Sequence, residues 1–258
     1  MTLDLDHALR IATQAARAAG QAELTHFRPD IAVETKPDRS PVTAADKEGE
    51  AIIRKHVLGA FPDHGFLGEE SGGDEAAHRY RWIVDPIDGT RGFTRGGKFW
   101  GPLIALAEGE EVLVGVLYLP ALGDLYAAKK GGGTTKNDQP VHVSGIARWE
   151  DATISLGEMQ NLLRPPLLGP ISGLATTAAS ARGYGDLAGA AMVIDGRAEA
   201  FVETGVKIWD LAPIRLLVEE AGGRFTDLHG AHKISSGSAI VTNGKLHDHV
   251  LHALKTGR

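Results

Sequence analysis

The chain has 258 residues, 43% hydrophobic and 23% charged, with a formal net charge of −6. That balance argues against a sequence-independent grip on nucleic acid, which needs surplus Lys and Arg facing phosphates. The absence of cysteine excludes disulfides, thiolate metal sites and thiol nucleophiles. No apolar run approaches the ~18 residues that span a bilayer, and the opening MTLDLDHALR lacks the apolar segment of a secretory signal. The expectation is a cytoplasmic protein with no membrane partner.

The length suits one large domain or two smaller ones. Leu5, Leu9, Ala12, Ala16, Ala19 and Leu24 keep helical spacing and predict a helix over 4–27. Lys36 to Pro41 is a proline-broken loop. Thr43 is an N-cap, with Asp46 three residues on in a capping-box arrangement. The helix it opens carries Ile52, Ile53, Val57 and Leu58 and stops before Pro62. Arg81 to Val84 is a short strand that ends at Asp85-Pro86. The apolar runs 102–107, 112–119 and 124–128 predict an antiparallel meander. In the second half, strands are expected at 152–156, 198–203, 224–227 and 238–242, and helices at 186–195, 210–221 and 245–255. Residues 158–175 read as irregular. The alternation predicts a layered α/β unit, with a boundary near 145 between halves 1–145 and 146–258.

The informative region is 68–90, where Gly68-Glu69-Glu70-Ser71 precedes Trp82-Ile83-Val84-Asp85-Pro86-Ile87-Asp88-Gly89-Thr90. A strand delivers Asp85 to its end, Pro86 stops regular pairing, and the turn folds Asp88 back beside Asp85. Two carboxylates this close repel unless a cation lies between them. Mg²⁺ suits such a place, because it takes oxygen ligands and combines carboxylates with water and phosphate. The Ile87 carbonyl offers one more oxygen. Alone, the segment is only a turn with aspartates bonded to nearby backbone, and Glu69-Glu70 is a solvated charge pair. A third segment, Ile208-Trp209-Asp210-Leu211-Ala212-Pro213, places Asp210 as the N-cap of a helix that ends at Gly222-Gly223.

Together these residues carry a resemblance. Trp82 to Arg95 (WIVDPIDGTRGFTR) and Trp209 to Gly223 (WDLAPIRLLVEEAGG) resemble the two signatures of the inositol monophosphatase-like phosphatases. Gly68 to Ser71 and Pro41 to Asp46 resemble the remaining landmarks, in the same order. The resemblance spans the chain and implies an α-β-α-β-α sandwich, a Mg²⁺-dependent phosphomonoesterase and a homodimer. It implies two or three Mg²⁺ per site: Glu69, Asp85 and the Ile87 carbonyl on the first, and Asp85, Asp88 and Asp210 on the second. Glu69 contributes to a third, with Glu70 close by. Gly89 and Thr90 amides would hold the phosphate, Thr90 and Asp46 would orient and deprotonate the attacking water, and Lys36 would reach in from its loop.

Arg182-Gly183-Tyr184-Gly185-Asp186 bears on the substrate. A Gly-Asp here, with Phe99-Trp100-Gly101 and Leu119 to Gly123, resembles the histidinol-phosphatase branch. Asp186 and Glu203 would then face a cationic substrate and Arg182 a phosphate or another polar part of it. Asp186 also reads as a helix N-cap, and Glu203 as a surface strand residue. The rival readings are an inositol-1-phosphatase, a nucleotide or sugar phosphatase, and a non-catalytic metal-binding regulator on the same fold. His247, His249 and His252 read as exposed helix positions with no tetrahedral metal set.

Overall fold

The computed structural model describes residues 3–28, 32–35, 41–73 and 78–256. Lys36 and the rest of its loop to residue 40 lie outside the described residues. From the N-terminus run α1 (Leu5–His26), the paired strands β1 (Val33–Thr35) and β2 (Pro41–Thr43), and α2 (Ala44–Ala60). An eight-stranded sheet follows, from β3 (Gly65–Gly68), β4 (Gly72–Gly73), β5 (Arg81–Asp88), β6 (Gly101–Glu108), β7 (Glu111–Leu119), β8 (Asp124–Lys129), β9 (Thr134–Lys136) and β10 (Gln139–Val141). A single helical turn, α3 (Thr90–Phe93), separates β5 from β6. The sheet order is β10-β9-β8-β7-β6-β5-β3-β4, antiparallel except where β3 runs parallel to β5.

The second half begins with a 3₁₀ turn at Trp149–Asp151, then β11 (Thr153–Leu156), α4 (Met159–Leu162), α5 (Leu168–Thr177), β12 (Ser180–Arg182) and α6 (Asp186–Ile194). It ends with β13 (Ala200–Thr204), α7 (Ile208–Glu220), β14 (Arg224–Thr226), β15 (Ser238–Thr242) and α8 (His247–Thr256). Its five strands form a mixed sheet in the order β12-β11-β13-β15-β14.

Period-two alternation assembles the layers. Trp82 and Val84 of β5 bury against the alanine face of α1 (Ala8, Ala12, Ala15, Ala19) and against Ile53 and Val57 of α2. Ile83, between them, faces the other way, into a core shared with α6 and α7 and, beyond these, with Phe201 and Val241 of the smaller sheet. The far side of that sheet, Ile154, Ala200 and Val202, is covered by α5 and α8. The result is the α-β-α-β-α sandwich. The large sheet is complete before residue 145 and the small sheet lies after it. Among the described residues no helix is long and apolar enough to cross a membrane.

Three local expectations change. Residues 158–175 are not irregular: α4 and most of α5 lie there, and Pro170 sits in the first turn of α5, where its missing N–H costs no helical bond. Strand β5 continues past Pro86 to Asp88 by way of a register shift between Asp85 and Asp88. His247 is buried rather than exposed, its ring nitrogens lying 2.9 and 3.0 Å from the Thr226 and Thr242 hydroxyls; burial pushes it down to about 4.

Candidate active site

The shift in β5 positions the site. Asp85 still pairs with Leu103, and pairing resumes only at Asp88 with Gly101, so Pro86 and Ile87 are lifted out of the ladder. The chain then turns at Gly89 with φ 84°, where a Cβ would lie 2.7 Å from the Phe99 carbonyl oxygen. Only glycine suits that combination. Asp85 and Asp88 are thereby set beside Asp210 of α7, and one carboxylate oxygen from each lies within 4.8 Å of the others. Asp210 is not the N-cap of α7. It is the third residue of the helix, Lys207 is the cap, and Asp210 Oδ2 accepts the Lys207 N–H at 2.7 Å.

The cluster is electrostatically costly. Burial, then the charges of Glu69, Asp88 and Asp210, hold Asp85 well above the usual carboxylate range. Asp88 is raised by burial and by Asp186, Asp210 and Glu203, against one opposing bond in which its Oδ2 accepts the Leu187 N–H at 2.5 Å. Burial pushes Asp210 up to about 7. Asp85 Oδ1 is buried and has no hydrogen-bond partner. An orphaned oxygen among crowded, oxygen-only donors fits a hard divalent cation. These three aspartates could hold a metal, with Glu69 and Ile87 in the same cavity wall.

Beside them lies Thr90, whose hydroxyl is 2.9 Å from the Ile87 carbonyl and 3.2 Å from Asp46 Oδ1. The expected capping box is present: Asp46 Oδ2 accepts from both the Thr43 N–H and the Thr43 hydroxyl at 2.7 Å. Burial raises Asp46, the Thr43 and Thr90 bonds oppose the rise, and Glu69 adds to it.

One residue of α2 was not singled out from the sequence. Glu50, one helical turn beyond Asp46 and buried, accepts the N–H groups of Glu70 (2.8 Å) and Ser71 (2.9 Å). A single helix thus carries Asp46 and also pins the loop that presents Glu69.

The cavity measures about 590 Å³. Beside the aspartate trio its wall also carries Asp186, Glu203 and Glu158, the last unforeseen. Asp186 is not an N-cap. It opens α6 with φ 54°, makes no capping bond, and leaves Asp88 to bond the first turn. Asp186 is exposed as a residue, but its carboxyl sits in a crowded wall; lost hydration and the Glu158 charge push it up to about 6, against Arg91. Arg182 is not in this wall. It lines a neighbouring groove with Met159 and Leu163, and its guanidinium donates to the Ala181 carbonyl. Among the described residues the cations in the cavity wall are Arg91 and Lys207, which the sequence reading passed over although Arg91 lies within the first signature and Lys207 just before the second.

A family model described as the inositol monophosphatase family matches residues 4–257. The chain belongs to the inositol monophosphatase family. It is a phosphatase that hydrolyses phosphate monoesters, and the family is metal-dependent. The chain is 40% identical to the histidinol-phosphatase of Chlorobaculum parvum over 243 residues, covering 94% of this chain and 92% of that one. It is 35% identical to the inositol-1-monophosphatase of Mesorhizobium japonicum, with 96% of each chain covered. The crystal structure of extragenic suppressor protein suhB from Bartonella henselae superposes with a TM-score of 0.91 at 31% identity, covering 98% of this chain and 100% of that one.

Proposed function

We propose that the chain is a Mg²⁺-dependent histidinol-phosphate phosphatase, which converts histidinol phosphate and water to histidinol and phosphate during histidine synthesis in the cytoplasm. The observation that carries this reading is the acidic wall of Asp186, Glu203 and Glu158, which lines the same cavity as the aspartate trio. A phosphate needs no such wall, but the protonated amine of histidinol phosphate does. The identity to histidinol-phosphatases supports the same choice.

In this reading Glu69, Asp85 and the Ile87 carbonyl would hold one Mg²⁺, Asp85, Asp88 and Asp210 would hold a second, and Glu69 would share in a third. Such ions would supply positive charge against the phosphoryl group and a lowered pKa for the attacking water. Thr90 keeps its oxygen on the cavity side while its hydroxyl is in reach of Asp46. The proton of the water therefore has a path through Thr90 to a carboxylate already anchored by Thr43. The backbone amides of Gly89 and Thr90 orient the phosphate oxygens. The same reading carries the homodimer of the family resemblance, of about twice the 27.3 kDa chain mass.

The test is phosphate release with Mg²⁺, with kcat/KM compared for histidinol phosphate and inositol 1-phosphate. The reading expects a strong preference for histidinol phosphate. A preference for inositol 1-phosphate would keep the phosphatase and discard the substrate.

A further inference from the structure

The three acids of the wall are not equivalent. Glu203, on β13, is buried, and its Oε1 lies 3.2 Å from the Glu158 N–H and 3.5 Å from the Asp186 N–H, the second a long contact. Gly157 and Gly185 pack against the same carboxylate. Burial first, and then the charge of Asp186, hold Glu203 well above the usual carboxylate range. Its oxygen is used to hold two loops together, although the residue still lines the cavity.

Glu158 differs on each count. It begins α4, makes no capping bond with its side chain, and is exposed in the cavity wall. Among charged neighbours it acts most strongly on Asp186. Glu203 therefore holds the backbone of two other acidic residues that line the same cavity. Like charges held together repel unless something cationic comes between them. Arg91 offsets the pair only in part. That the cavity is a ligand site stands on separate ground, the buried and unpartnered Asp85 Oδ1 in the same cavity wall.

We propose that Glu158 is a specificity-determining residue: with Asp186 it receives the ammonium group of a phosphate monoester of an amino alcohol, while Glu203 positions the two. The proposal rests on the functional reading above and narrows it to the charge on the substrate amine. No covalent step is involved, since the ammonium only exchanges water for carboxylate oxygens.

The experiment compares histidinol phosphate with its N-acetyl derivative, which keeps the phosphate and imidazole and loses the positive charge. Both are assayed with Mg²⁺ on the wild type, Glu158→Gln and Glu203→Gln. Expected is a wild-type preference for the free amine. Glu158→Gln should reduce that preference about tenfold, mostly through KM, the size of one partly solvated charge-assisted bond. Glu203→Gln keeps an acceptor oxygen for both N–H groups and should reduce the preference by less than Glu158→Gln does. A wild type indifferent to acetylation, or a Glu158→Gln enzyme with its preference intact, overturns the proposal. So does a Glu203→Gln enzyme that loses the preference while Glu158→Gln keeps it. Failure of the functional reading shows separately, as a wild type that favours inositol 1-phosphate over histidinol phosphate.

Discussion

The aspartate turn and the acidic wall of the cavity are built differently. At the aspartate turn, Asp85, Ile87, Asp88, Gly89 and Thr90 come from six consecutive residues, and one lifted turn of β5 aims them. At the acidic wall, Glu158, Asp186 and Glu203 come from three separate segments, joined by strand pairing, by the Ser155–Tyr184 bonds and by contacts from one buried oxygen to two backbone N–H groups. A reaction that needs a fixed set of oxygens is served by a short, rigid turn. Discrimination among alcohols is served by loops, which can vary without disturbing that turn. The division implies that damage at the turn falls on all substrates alike, and damage at the wall falls on some.

The largest effect belongs to Asp88→Asn. Asparagine keeps an oxygen to accept the Leu187 N–H, so the fold should survive and circular dichroism should not change. Turnover should fall by orders of magnitude, on the order of a thousandfold or more, on every phosphate monoester tested, because charge that holds the metal is lost. A fully active variant would remove Asp88 from the metal site and with it the distinction between turn and wall.

A smaller effect sharpens the account of the metal site. Glu50→Ala frees the amides of Glu70 and Ser71 and loosens the loop that presents Glu69. Residues that brace metal ligands typically govern affinity by about 10- to 100-fold. Calorimetric titration with Mg²⁺ should show weakening in that range, with turnover largely restored by excess Mg²⁺. Unchanged Mg²⁺ affinity would mean that Glu50 only closes a turn.

The legible parts of the molecule were those encoded over a few residues. Thr43 and Asp46 form their capping box three positions apart, and the alanine face of α1 follows a local period. The aspartate turn is of the same kind. What escaped was set by partners far along the chain. The cap reading of Asp186 rests on aspartate favouring that place, yet the acceptor at α6 is Asp88, 99 residues away, and Asp186 lines the cavity, where its other reading has it. Glu50 looks like an ordinary charged residue, and Glu203, expected either on a cationic substrate or at the surface, is buried; folding brings backbone N–H groups 17 to 45 positions distant to their oxygens. His247 looked exposed in a run of histidines, but two threonine hydroxyls from β14 and β15 take it into the core. Arg182 was placed by adjacency to Asp186, and the turn through Gly183 to Gly185 instead leaves it facing another groove.

The measurement that bears most directly on the division of the cavity is the effect of Asp186→Ala on kcat/KM for histidinol phosphate and inositol 1-phosphate, in saturating Mg²⁺. Asp186 stands at the head of α6 without capping it, so its removal takes away a charge and no helix bond. The account predicts a loss of about tenfold or more on histidinol phosphate, with a much smaller change on inositol 1-phosphate. Equal losses on both substrates would contradict it, and would make Asp186 a support for Asp88 and the metal rather than a reader of the substrate.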